Sequence, residues 1–381
     1  MWLAVLALFV VTLGFGIVVP IMPAIAGGMS AHAAQYSALF VAYSAARIGF
    51  QIPGGVWVDR VGAGRVLRVS LLAYAVSLAA LALPGGPVWF TAARAIEGAA
   101  TGLAYPAVLA LAAAGPPEGM GRRIGIAVGV GSSGFLLGPV VGGALVGLGT
   151  YVPIAVGATA ALVLFACASA AAPAAAPATA PHEPRSLRGE VDALRRLVTR
   201  REFVGLMLPL SFNKLSFSGF QALLPLWGAD QLDLGVRGVT ALFALAGIIF
   251  SLVQPLAGAL ADRVRPRVLI IACGVPLLAV LALLGRADDG WTFGAGFGAY
   301  VLLTSAIFTA TTREAGHRHG EGGLGGVFGV LNTGTDLMTV IGPSLFLALY
   351  ALDRASLFPA VAATGVAFHL GFIALGRRPA G

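Results

Sequence analysis

Five ionisable side chains stand where the surrounding sequence is almost wholly apolar: Arg47, Arg94, Glu97, Lys214 and Asp336. An ionised group at the centre of a bilayer costs roughly 2.5–3.5 kcal/mol on insertion scales, so each is a candidate functional group. Arg94 and Glu97 lie three positions apart, which puts them on one helical face within reach of each other. Burial disfavours a charged carboxylate, whereas an adjacent cation favours it. Glu97 is therefore expected to gain or lose a proton as Arg94 leaves or approaches. Asp336 is expected to do the same with Lys214. A static ion pair that only joins helices is the alternative at both places.

Each charge heads a polar stripe at helical spacing. Tyr43, Arg47 and Gln51 share one face, and Arg94, Glu97, Thr101 and Tyr105 another. Lys214, Ser218 and Gln221 form a third, with Asn213 adjacent, and Asn332, Thr335, Asp336 and Thr339 a fourth. The opposite faces are apolar. Four such stripes turned inward would enclose a wet central cavity.

The elements that must carry these stripes are transmembrane helices. Hydrophobic residues make up 58% of the 381 and charged residues 10%; a soluble domain carries about 25% charged residues. A spanning helix needs about 20 apolar residues. Twelve such runs are expected, at 2–26, 33–57, 66–84, 87–114, 123–148, 151–172, 203–228, 237–260, 267–286, 291–314, 321–350 and 355–376. The first lacks a basic leader and continues through Pro20 and Pro23, so it is expected to be retained. Eighteen arginines follow even-numbered spans and only Arg237, Arg286 and Arg354 follow odd ones. That bias predicts both termini in the cytoplasm. It also accounts for the net charge of +8 without a nucleic-acid partner. Cys167 and Cys273 sit inside apolar runs with no metal-ligand spacing and are expected to be small hydrophobes.

Residues 170–184 form a Pro/Ala-rich linker. Beyond it Leu187, Val191, Leu194 and Val198 recur beside Arg188, Arg195, Arg196 and Arg201, the pattern of a basic amphipathic helix on the anionic cytoplasmic leaflet. The linker separates two copies of one plan. Gly55-Val-Trp-Val-Asp59-Arg60 recurs as Gly258-Ala-Leu-Ala-Asp262-Arg263, Gly138-Pro139 as Gly342-Pro343, and Pro20 as Pro225, at offsets of 203 to 205. The domains are therefore expected to be a six-helix bundle over 1–172, a linker over 173–202 and a second bundle over 203–381, related as parallel repeats.

At these residues the chain resembles the major facilitator superfamily. Residues 54–65, with Gly55, Asp59, Arg60, Gly62 and Arg65 at the signature positions, are similar to its loop between helices two and three. The second copy keeps Asp262 and Arg263 but lacks the glycine. Charge pairs and helix-end dipoles could make these residues a cytoplasmic latch; the alternative is a topology anchor. Gly134, Gly138, Pro139, Gly142 and Gly143 in span five resemble a motif of the drug–proton antiporters in the superfamily. Glycines every fourth residue let a partner helix approach closely, and Gly247 and Ser251 of span eight offer matching spacing. Arg94-x-x-Glu97-Gly98 resembles the span-four motif whose arginine the family links to proton transfer, except that glutamine is commoner where this chain has Glu97.

The resemblance implies an all-α membrane fold, twelve helices in two parallel repeats around a central cavity. It implies a monomeric secondary transporter of the cell's inner membrane, here read as a proton-coupled antiporter exporting a small amphipathic compound. The cavity charges sum to +1, so an organic anion or zwitterion is the alternative substrate class; a non-transporting receptor is a further alternative. No cofactor or metal is expected. His369 is expected to be packing, and His317 and His319 to lie in a cytoplasmic loop.

Overall fold

A computed structural model describes residues 1–27, 33–170, 192, 195–234, 236–320 and 323–375. Within these, side chains at 19–27, 33–37, 136, 139, 140, 143, 225, 229, 236, 237 and 240 are not described. The described backbone is helical throughout its long elements. In chain order these are α1 (Trp2–Gly27), α2 (Ala33–Val61), α3 (Ala63–Leu81), α4 (Pro87–Ala113), α5 (Met120–Val146) and α6 (Val152–Ala170). There follow α7 (Arg201–Gln231), α8 (Val236–Arg263), α9 (Pro266–Leu284), α10 (Gly290–His319), α11 (Leu324–Leu352) and α12 (Arg354–Leu375).

Eight of them are long and apolar enough to cross a membrane by length and composition: α3, α4, α6 and the five from α8 to α12. The described part of α1 supplies a shorter apolar run, Trp2–Val18. In α2 and α7 the apolar windows are interrupted by Arg47 with Gln51 and by Asn213, Lys214 and Gln221. Several helices overrun the expected spans. At about 1.5 Å per residue, a 30-residue helix such as α10 is about 45 Å long, against a hydrocarbon core near 30 Å. His317 and His319 consequently form the last turn of α10 instead of a loop.

Two compact units are present. The first contains Met1–Gly115, Ile126–Val191 and Gly320–Thr333. The second contains Pro116–Gly125, Asp192–His319 and Gly334–Gly381. Each therefore holds one short helix start from the other sequence half: the start of α11 belongs with α2, and the start of α5 with α8.

Inside the first unit α4 packs on α1, α2 and α3, while α6 packs on α1 and α3. Inside the second, α10 packs on α7, α8 and α9, while α12 packs on α7 and α9. The same pairings recur six helices later, the structural counterpart of the sequence repeat. The helices α4 and α10 are the most enclosed, each with 72% of its apolar window buried against 50% or less in the other spanning helices. Enclosure follows from side-chain size: Ala93, Ala100, Ala104, Ala107 and Ala110 line α4 and admit neighbours on every side. In the second unit Phe220, Phe293, Phe297, Tyr300, Phe346 and Phe358 interlock as one aromatic cluster. Aromatic side chains bury 150–250 Å² each and dominate such cores.

The linker, Leu187, Arg188, Val191 and Leu194 lie outside the described residues, as does Pro20's side chain. Residues 195–199 are helical, with Arg195 and Arg196 exposed and Leu197 buried.

Candidate functional site

Arg94 and Glu97 meet on α4. Arg94 Nη1 donates to Glu97 Oε2 at 2.6 Å, and neither side chain has any exposure. Gly98, the next residue, explains how α2 reaches them: a side chain there would collide with the Tyr43 carbonyl, and one at Gly102 with that of Arg47. Close approach lays Tyr43 over the guanidinium, with its ring centroid 4.5 Å from Arg94 Cζ. The rings of Phe15 at 5.4 Å and Phe40 at 6.0 Å complete an aromatic enclosure. Each cation–π contact stabilises by about 0.5–2 kcal/mol, which offsets part of the several kcal/mol per ion that dehydration costs. The enclosure is incomplete in one respect. Arg94 Nε and Nη2 and Glu97 Oε1 have no hydrogen-bond partner among the described residues. Tyr74 of α3 also reaches the Glu97 carboxyl group.

The second pair joins two helices, for Lys214 of α7 binds Asp336 of α11. Asn213 beside it donates to Thr304 O of α10 at 2.7 Å. Asn332, Thr335 and Ser218 are buried, and Asn332 and Ser218 bond carbonyls of their own helices. Thr101 and Gln51 are also buried, Arg47 and Tyr105 half-buried, and Gln221 exposed. The repeat does not duplicate the charges: an offset of 203 carries Arg94 and Glu97 onto Phe297 and Tyr300.

At the ends of α2 and α8 the signature aspartates are engaged by backbone. Asp59 accepts the Gly325 N–H at 2.8 Å and the Gly326 N–H at 2.6 Å. Asp262 accepts the Gly121 N–H at 2.8 Å and the Arg122 N–H at 3.0 Å, with Arg313 Nε at 3.3 Å. Each carboxylate sits at the first turn of a helix from the other sequence half, where free N–H groups and the positive end of the dipole favour an anion. Gly55 and Gly258 make this possible, since side chains there would strike the carbonyls of Gly325 and Gly121. Gly323, at φ +126, holds the turn before α11 in the left-handed region and faces the Asp59 carboxylate. Arg60 is exposed, and Arg65 turns back to Val61 O at 3.4 Å. Arg263 ends α8, and Gly62, at φ +92, starts the bend into α3.

Sequence reasoning missed the receiving side. Gly121 and Gly125 of α5 lie on Gly258 and Gln254, as Gly325 and Gly329 of α11 lie on Gly55 and Gln51. All four contacts repeat at an offset of 203 or 204, the signal that could have found them. The glycines of span five meet α1. Gly134 and Gly138 face Phe9, Leu13 and Gly16 of α1, and Gly142 faces Ile17. In the second unit Gly342 lies on Leu215 and Gly219 of α7, the equivalent contact. The side chains of Pro139 and Gly143 lie outside the described residues. His369 Nδ1 lies 2.8 Å from Gly365 O, and no metal-binding cluster occurs among the described residues.

A family model described as Major Facilitator Superfamily matches residues 4–343. Multidrug resistance protein 2 of Bacillus subtilis is 23% identical over 91% of this chain and 87% of its own length. The class E tetracycline resistance protein of Escherichia coli is 26% identical over 92% and 88%. The solved structure of the human organic anion transporter MFSD10 superposes with a TM-score of 0.77 over 97% of this chain and 98% of its own, at 19% identity.

Proposed function

The chain belongs to the Major Facilitator Superfamily, a multi-pass membrane transporter and not an enzyme, and on that premise we propose that it is a proton-coupled antiporter exporting a small amphipathic organic compound. The observation that carries this reading is the Arg94–Glu97 ion pair, wholly buried inside the most enclosed helix of the first unit. Protonation of Glu97 releases Arg94 from its ion pair, so proton entry and rearrangement around α4 are linked. A ligand shifts a two-state equilibrium only by its differential affinity for the two states; a proton on Glu97 supplies such a difference. Lys214 and Asp336 form the second such pair. The relatives named for multidrug and tetracycline resistance favour export.

In this reading the halves 1–172 and 203–381, joined by 173–202, rock about a substrate cavity lined by the polar stripes. The clasps at Asp59 and Asp262 hold the cytoplasmic side shut and part when it opens. The arginine bias favours an inner-membrane protein with both termini in the cytoplasm, and one chain enclosing its own pathway favours a monomer.

A second substrate class is supported by charge. The candidate cavity groups are three basic and two acidic, a sum of +1, which favours an organic anion or zwitterion. Flux in proteoliposomes under an imposed pH gradient tests both, using cationic, neutral and anionic compounds. Acid outside should drive export of at least one class, and competition by carboxylates or by lipophilic cations identifies which. Transport indifferent to the gradient would remove the proton from the mechanism.

A further inference from the structure

Where α7 begins and α10 ends, a cavity of about 420 Å³ is lined by Arg200, Arg201, Glu202, Arg318 and His319. It lies within the second unit and away from the buried ion pairs. Its walls carry three guanidinium groups and one imidazole. The opposing carboxylates are Glu202, 3.4 Å from Arg318 Nη1, and Glu314, which binds Arg318 Nε one turn earlier. Among the described residues, three guanidinium groups stand against these two carboxylates.

Three further features point the same way. The α7 N-terminus opens here, with Arg200 as N-cap and no side chain capping it, so free N–H groups add the positive end of a dipole. The opposing carbonyl end of α10 is offset by its basic last turn, His317, Arg318 and His319. His319 is held edge-on to Phe203, centroids 5.3 Å apart, and neither of its ring nitrogens has a hydrogen-bond partner among the described residues. One of them carries a proton in the neutral ring, a buried donor that none of the described residues accepts.

We infer that this cavity is a binding site for a phosphate group. Arginine is suited to phosphate because its planar fork donates two hydrogen bonds at once. The volume is at the small end of ligand sites, enough for a phosphate head and its immediate substituents. In a chain oriented by its arginines the cavity opens at the cytoplasmic leaflet, where anionic headgroups concentrate. The same phosphate chemistry could be presented by an anionic phospholipid or by a soluble ion, and the two sources separate experimentally.

The test uses the full chain purified in detergent, with thermal unfolding and ligand affinity as readouts. The probes are short-chain phosphatidylglycerol, short-chain phosphatidylcholine and inorganic phosphate, at constant ionic strength. Phosphatidylglycerol should raise the unfolding temperature and phosphatidylcholine should not. Arg200→Gln/Arg201→Gln should weaken phosphatidylglycerol binding by about tenfold or more, as two basic groups near an anionic headgroup contribute about 1 kcal/mol each. Arg65→Gln/Arg263→Gln, basic groups outside the cavity, should leave the affinity unchanged. An equal response to inorganic phosphate assigns the site to soluble phosphate. No response to either probe overturns the proposal, as does equal loss in the Arg65/Arg263 variant, which would reduce the effect to general surface charge. Because transport is not read, failure here leaves the antiport reading untouched.

Discussion

Asp59 of α2 and Gly325 of α11 are 266 positions apart in sequence, yet the carboxylate of one accepts the backbone N–H of the other at 2.8 Å. The Asp262–Gly121 contact, also 2.8 Å, repeats it within the second unit. Hydrogen bonds to a charged group contribute about 1.5–3 kcal/mol each. Asp59→Asn keeps the shape and removes the charge, so the clasp should open more often by about tenfold or more. Thiol labelling of Val58→Cys, at a position only 5% exposed and against Gly325, reports the opening. Labelling that does not rise with Asp59→Asn removes the clasp from the transport cycle.

Arg94 and Glu97 should be worth more together than apart. Arg94→Met leaves a buried carboxylate without its cation and should cost about 3–5 kcal/mol, whereas Arg94→Met/Glu97→Leu should recover most of that loss. Chemical unfolding measures both. Glu97→Gln should remain folded and lose transport driven by a pH gradient; full coupled transport in that variant would exclude Glu97.

Glycines should rank by what a methyl group meets. At Gly138 it would lie 2.5 Å from Leu13 O, and at Gly142 3.1 Å from Ile17 O. Gly64, inside α3, has open space around it. Gly138→Ala should therefore destabilise more than Gly142→Ala. Gly64→Ala should stabilise by about 0.4–1 kcal/mol through helix propensity and reduced chain entropy. Thermal unfolding of the three variants reversing that order would overturn the α1–α5 packing described above.

Two helix starts should loosen in acid. Asp289 bonds the Thr292 hydroxyl and the N–H groups of Thr292 and Trp291, and these bonds hold its carboxyl below the ordinary value. Asp353 is lowered likewise by Ser356 and by the N–H of Ala355. A depressed carboxylate contributes stability above its unfolded-state value and loses it as pH falls through the lower folded value. Hydrogen exchange at the first turns of α10 and α12 should quicken on acidification. Asp289→Ala should abolish the pH dependence at α10 only.

Much of this was legible in sequence because membrane insertion makes charge conspicuous. Arg94 and Glu97 advertise each other by spacing within one helix, and the repeat by matched offsets. What was hidden depends on which helices touch. The spacing of Gly134, Gly138 and Gly142 says that some backbone comes close, but α1 and α8 offer similar small residues, and only the fold selects α1. The partners of Asp59 and Asp262 were hidden for a different reason: a peptide N–H leaves no trace in residue identity. The polar run of α10, whose Thr309 hydroxyl donates to Gln254, was visible and carried no charge to draw notice.

That the receiving half of each clasp is main chain has a genetic corollary. Side-chain replacement at Gly326 or Arg122 leaves the donor in place, so most missense changes there spare the bond itself. Proline alone deletes it, having no N–H to give. At Arg122 the pattern a saturation mutagenesis scan would register is tolerance of ordinary substitution with selective sensitivity to proline, whereas at Gly325 and Gly121 any side chain would also strike the facing carbonyls of Gly55 and Gly258.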